Sequence, residues 1–360
     1  MLQHLTDPVR LTAEICNINS VSGNETALAD QIWETLLQHA PHLKLRRDGD
    51  CIIARTEFGC DTRVLVAGHI DTVPVNHNLP VQQRTIDGAA QLWGRGTVDM
   101  KAGVAVQLCA ALQLREAASD ITWVWYDHEE VSSELNGLGR ALRNSPQLFA
   151  ADFAILGEPS NSVIEAGCNG TLRALVRFTG KRAHSARSWC GVNAIHRSYE
   201  ALQKLAQYQA ETVTVAGLEY RESLNAVGIS GGIAGNVIPD EVVIDVNYRF
   251  APAKTEAAAT VFVRDFFAMA DSVEIIDSAP GAQPGTDSEF ATRLAAQVGA
   301  QIRPKLGWTD VARFTALNIP AVNYGPGNPE LAHADDEAVA VAEITACYQG
   351  LMAFLAKPSA

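Results

Sequence analysis

Three short apolar runs, RVLVAGH (63–69), ITWVWYD (121–127) and DFAILGE (152–158), constrain the fold of this chain more than any other feature. Rich in β-branched, aromatic and small apolar residues, each reads as a buried strand. CIIART (51–56) reads as another, while PVRLTAEICNI (8–18) and ETALADQIWETLLQHA (25–40) have helical periodicity, the second preceded by Ser22 and Asn24 as capping candidates. Strands alternating with helices imply an α/β sheet with helices on its faces. The runs stop at His69, at Asp127 with Glu129 and Glu130 just beyond, and at Glu158. Sites in open α/β sheets gather at the carboxyl ends of strands, so these side chains are expected to converge on one crevice.

From about residue 171 the texture changes. TLRALVRFTG, a helix across NAIHRSYEALQKLAQY, LNAVGISGG, EVVIDVNYRF, a helix across TEAAATVFVRDFFAMA, and SVEIIDS follow one another as strand, helix, strand, strand, helix, strand. Such a unit closes its own small sheet with two helices on one face. APGAQPGTD (279–287) reads as the return linker, before a helix near 290–298, a short strand PAVNYG and a C-terminal helix through VAVAEITACYQGLMAFLA. The expected organisation is a catalytic domain in two segments, 1–170 and 282–360, interrupted by an α+β lid domain over 171–281.

Composition narrows the function. Hydrophobic residues at 47% with 19% charged residues are those of a globular protein. A net charge of −13 without a basic block argues against a nucleic-acid partner, and an anionic substrate would need local basic residues against that field. The longest mainly apolar run, AGVAVQLCAALQL, is far short of the roughly 20 residues that span a bilayer. MLQHLTDPVRLTAEIC has no basic flank before an apolar core, so a cytoplasmic location without membrane attachment is expected. The seven cysteines form no C-x-x-C pair, which points to reduced thiols.

Taken singly, the polar residues have ordinary readings. His69 and Asp71 can be a strand-end histidine and a turn aspartate, Asp99 a helix N-cap before Met100, Glu129 and Glu130 a solvated loop, and His333 a surface histidine. Together they suggest chemistry. Asp71, two residues past His69, projects to the same side and can orient the ring. LWGRGTVDMKAGVAVQL lacks both phosphate-loop patterns, so its glycines serve a turn presenting Asp99. His69, Asp99, Glu130, Glu158 and His333 are five nitrogen and oxygen donors, and a bridging Asp99 gives each of two metals three protein ligands. A bridging water would complete an open shell of the kind found in catalytic zinc sites. Two ions about 3.5–4 Å apart activate that water and polarise a carbonyl, leaving Glu129 to carry the proton to a leaving amine. Hydrolysis of an amide bond is the expected reaction.

The motifs GHIDTVP, GRGTVDMKAG, DHEE, GEP, RAHSA, GNVIPD and YGPGNPELAHADDE, in this order, resemble the dinuclear zinc aminoacylase and carboxypeptidase family over essentially the whole chain. The resemblance implies a zinc-peptidase-like catalytic domain with a mixed sheet flanked by helices, and a ferredoxin-like inserted lid and dimerisation domain. It implies two Zn2+ ions, replaceable by Co2+, with His69 and Glu158 on one, Glu130 and His333 on the other and Asp99 between. Asp71 would orient His69, Glu129 would be the general acid/base, and the Asp99–Met100 peptide would be cis; many relatives have an acidic residue where this chain has Met100. His184 would reach the site of a partner subunit in a homodimer joined through the lids. Asn236, Arg249 and Thr309 match substrate-binding positions, Arg249 with the planar fork that suits a carboxylate; Arg182 and Arg187 could add positive charge or be surface residues. EAGCNGTLR, GGIAGNVIPD and LGWTDVARF are most similar to the members that act on small acylated diamino acids. Related deacylases share the same donors, and a noncatalytic metal-binding protein would have no use for Glu129.

Overall fold

A computed structural model describes residues 1–357, which pack into two compact units. The first comprises Met1–Ala166, Gly285–Arg303 and the chain from Arg313 onward; the second comprises Gly167–Pro284 with Pro304–Ala312.

Among the described residues the first unit builds an eight-stranded mixed sheet, in the order Lys44–Asp48, Cys51–Arg55, Asp120–Tyr126, Arg63–His69, Phe153–Leu156, Ala321–Asn323, Ile164–Ala166 and Ile302–Pro304. Its middle is parallel: Arg63–His69 pairs with Asp120–Tyr126 on one side and Phe153–Leu156 on the other, in registers that oppose His69 to Tyr126 and Ala67 to Leu156. All three strands therefore end at the same edge. Their side chains are almost wholly buried on both faces, as parallel strands covered by helices must be.

The helix Lys101–Gln113 is buried from Lys101 to Leu112 and packs against the Arg63–His69 strand and the helices Pro8–Cys16 and Val341–Leu355. An element apolar on every side is stable only inside a core. Its approach to the sheet depends on Gly103, where a Cβ would overlap the carbonyl of Gly157.

The second unit has an antiparallel sheet in the order Ser223–Gly231, Glu241–Phe250, Gly170–Thr179 and Ser272–Ala279. Leu172, Ala174, Val176 and Phe178 alternate with exposed or half-buried residues and join Val242, Ile244, Val246, Tyr248 and Phe250 in one core. Residues from the helices Tyr199–Ala206 and Glu256–Phe266 complete that core, giving the α+β unit expected from the element order, in the ferredoxin-like arrangement that the resemblance implied.

Several local expectations need correction. The helix expected across 193–208 breaks at Ser198 into Ala194–Arg197 and Tyr199–Ala206. Neither Ser22 nor Asn24 caps Thr26–His39, whose N-cap position is Glu25 without a side-chain bond. Gln82–Ile86, Ala89–Trp93 and Ala338–Ala340 form a small sheet that apolar periodicity does not reveal, because Gln82–Ile86 is largely exposed and polar. The turn signal is present, since Asp87 and Gly88 both have positive φ, as a two-residue hairpin of this type requires.

Replacing Gly103 by alanine should cost about 1–3 kcal/mol through overpacking. A fall in the urea midpoint measures this, and since Gly157 precedes Glu158, divalent-ion binding should weaken with it.

Candidate metal centre

The parallel register brings the functional side chains together. His69 ends its strand with the ring 1% exposed. Its Nδ1 lies 3.1 Å from the Asp71 carbonyl oxygen and 3.4 Å from Asp71 Oδ1. Those oxygens only accept while Asp71 is ionised, so Nδ1 carries a proton in either charge state of the ring and Nε2 faces outward. There it meets Asp99 Oδ1 at 3.0 Å and Glu158 Oε1 at 3.9 Å.

Asp71 does more than its spacing suggested. Its carboxylate accepts from Ser22 Oγ at 2.6 Å and from the N–H groups of Glu129 and Glu130, each at 3.0 Å. One buried aspartate thus ties the His69 strand to the loop carrying both glutamates. Asp127, in contrast, leaves the cluster: Arg140 donates to both its oxygens, at 2.7 and 3.0 Å.

Asp99 is not a helix cap. Met100 holds the N-cap position, and the Asp99 carboxylate divides between two imidazoles, Oδ1 toward His69 and Oδ2 at 3.3 Å from His333 Nε2. The Asp99–Met100 peptide is cis, and the buried Met100 accepts the His69 N–H at its sulfur. The turn is held by Glu337, which sequence reasoning missed. Its Oε1 accepts the N–H groups of Val98 and Asp99 at 2.8 and 3.1 Å, while Oε2 accepts from Arg95 Nη1 at 2.8 Å. Arg95 also donates to the His333 carbonyl. This buried pair couples the Asp99 turn to His333, and only the fold reveals it because 242 positions separate the partners.

His333 completes the cluster, with Nε2 3.0 Å from Glu130 Oε1. Two donor triads result, His69 with Asp99 and Glu158, and Asp99 with Glu130 and His333, with Asp99 in both. Glu129 and Glu130 also form a group with His69 whose donor atoms lie within 4.8 Å of one another. With Asp71, this set places five carboxylates around two imidazoles, an arrangement that favours divalent cations. The mixed nitrogen and carboxylate donors fit such ions.

The electrostatics follow. Burial opposes charge on His69, but Asp71 and Asp99 outweigh it and raise its pKa well above the usual value. Asp99 and then Glu130 push His333 up to about 10 against partial burial. Burial pushes the Asp99 carboxyl upward, yet His333 and His69 prevail and hold it below the usual range.

The remaining expected site residues lie in the second unit. His184 is exposed, pairs with Val237 and accepts the Ala186 N–H at Nδ1. Asn236 adjoins it, its carbonyl accepting from Ser185 N–H at 2.9 Å. Arg249 lies on a separate strand opposite Ser223, donating to Asn247 at 3.0 Å, with its pKa lowered by burial. Thr309 is buried and its carbonyl faces the Cys168 thiol. Arg182 pairs with Asp240, the surface role open to it from the start.

The chain matches the peptidase family M20/M25/M40 over residues 65–357. It belongs to that family. It is 49% identical over 356 residues to a Mycobacterium tuberculosis protein named as a succinyl-diaminopimelate desuccinylase, covering 99% of each chain. It is 44% identical to the Corynebacterium glutamicum protein of that name, covering 96% of this chain and 95% of the relative. A Staphylococcus aureus tripeptidase shares the fold at a TM-score of 0.79 and 20% identity, covering 99% of this chain and 98% of that one. As a member of the M20/M25/M40 family, the protein is a hydrolase of amide bonds. Among the described residues no helix is long and apolar enough to cross a membrane.

In the metal-free protein both imidazoles should hold protons at pH 7. Their raised pKa values contribute folding stability that is fully present below pH 6.5 and is lost as pH rises through each raised value, about 10 for His333. Loading both triads at pH 7 should release about two protons. Calorimetry in buffers of different ionisation enthalpy measures them, and apparent ion affinity should increase with pH over that range.

Proposed function

We propose that this protein hydrolyses N-succinyl-LL-2,6-diaminopimelate to succinate and LL-2,6-diaminopimelate, a cytoplasmic step in making lysine and peptidoglycan precursors. The sharing of Asp99 by two donor triads beside Glu129 carries the reaction class; identity to relatives of that name over nearly their whole length supports the substrate. His69 and Glu158 would hold one Zn2+, Glu130 and His333 the other, and Asp99 both, with Co2+ an acceptable substitute. When bound, such ions would supply Lewis acidity that polarises the acyl carbonyl and lowers the pKa of water.

The chain's own groups move the proton. As water oxygen bonds to the acyl carbon, Glu129 takes a proton; as the carbon–nitrogen bond breaks, Glu129 returns it to the departing amine. Asp71 orients the His69 ring and fixes the backbone from which Glu129 projects. Arg249, Asn236 and Thr309 bind the substrate's carboxylates and amide, and the desolvated guanidinium of Arg249 suits that task.

The second unit serves as lid and joins two copies, and His184 stabilises the oxyanion in the partner's site. Ser223–Gly231 is an edge strand with Val227 60% and Ile229 56% exposed, while the same unit exposes Trp189, Ile195 and Tyr199. Apolar edges of this kind are normally covered by pairing.

Succinate release from the succinylated substrate, compared with acetate release from N-acetylornithine, tests the specificity: zinc-dependent turnover of the first alone is expected, and preference for the second overturns the substrate. Glu129→Gln should keep both ions by metal analysis and lose about 10²–10⁴-fold in kcat; an active variant removes the mechanism. Ile229→Lys should yield a monomer by sedimentation.

A further inference from the structure

The loop carrying Glu129 turns on a contact that the reaction scheme does not use. Beyond the strand Asp120–Tyr126, His128 has φ +58°, in the left-handed region that L-residues disfavour. Three consecutive N–H groups leave this turn toward buried carboxylates. That of His128 reaches Glu25 Oε1 at 3.2 Å, and those of Glu129 and Glu130 reach the two oxygens of Asp71 at 3.0 Å. The N–H groups of Glu129 and Glu130 converge on the one carboxylate of Asp71, and that of His128 turns to the separate carboxylate of Glu25.

Glu25 is 1% exposed and does not cap the helix that follows it. Its Oε1 also lies 3.3 Å from His128 Nδ1, which is 2.7 Å from Asp127 Oδ2. A left-handed residue persists where its surroundings over-determine it; here Glu25 accepts the backbone N–H of His128 while Asp127 holds its ring.

We propose that Glu25 is a positioning residue for Glu129, holding the His128 turn in the conformation that directs the Glu129 carboxylate into the donor cluster. The inference rests on Glu129 being the general acid/base. Glu25 acts through the turn, so its loss should affect kcat and leave substrate binding and ions in place.

Holoenzyme variants at position 25 test this by succinate release and metal analysis. Glu25→Ala should lower kcat about 10- to 100-fold, the scale of a misplaced catalytic group, with KM and both ions unchanged. Glu25→Gln keeps an acceptor where Oε1 stands and should restore most of kcat, whereas Glu25→Asp keeps the charge, withdraws the oxygen and should not. If the alanine variant does not fold, this contrast between glutamine and aspartate carries the test. Wild-type kcat in Glu25→Asp, equal impairment of Glu25→Gln and Glu25→Asp, or ion loss accompanying the fall in kcat overturns the proposal. An active Glu129→Gln removes the reading beneath it, while inactive Glu129→Gln beside fully active Glu25→Ala overturns the positioning role alone.

Discussion

A carboxylate buried as deeply as Asp71 stays ionised only when donors surround it, and those it collects come from distant parts of the chain. Ser22 precedes the sheet, His69 ends one parallel strand, and Glu129 and Glu130 follow its neighbour. The bonds satisfy the aspartate and hold its pKa down despite burial, with His69 the leading counterweight. They also fix where the imidazole faces and where two further carboxylates leave the backbone. Geometry that a metal pair needs therefore exists as a hydrogen-bond network within the protein.

The same economy appears at Glu337. Paired with Arg95, it would return little stability for its desolvation cost if it served the core alone. Here it holds the backbone of Asp99 while its partner holds the carbonyl of His333. Asp71 holds the loop of Glu129 and Glu130 and Glu337 the turn of Asp99, so these ligands are carried on segments whose own polar groups are bonded. Removing either acid would loosen more than one donor.

Much of this was legible in residue order. Strands ending in His69 and Glu158 announced a crevice because parallel pairing aligns carboxyl ends, and the strand, helix, strand, strand, helix, strand order after residue 171 announced a small sheet with helices on one face. What escaped reading is of two kinds. Polar edge strands such as Gln82–Ile86 lack an apolar period, although the Asp87–Gly88 turn marks them. Long-range carboxylate to backbone bonds, from Glu25 to His128 or Glu337 to Asp99, leave no local pattern because nothing at either end of the sequence specifies the other. Asp127 illustrates the converse, a strand-end acid that Arg140 draws out of the crevice.

The insertion of the second unit also has a consequence for synthesis. His69, Asp99 and Glu158 all precede Gly167, so one donor triad is complete before the inserted sheet leaves the ribosome. The other awaits His333, which lies 203 positions after Glu130 and emerges only after the second unit has been made. Glu337, which steadies the shared aspartate, arrives with it. A chain folding from its N-terminus thus acquires its two donor sets in a fixed temporal order, the second only once His333 has been made.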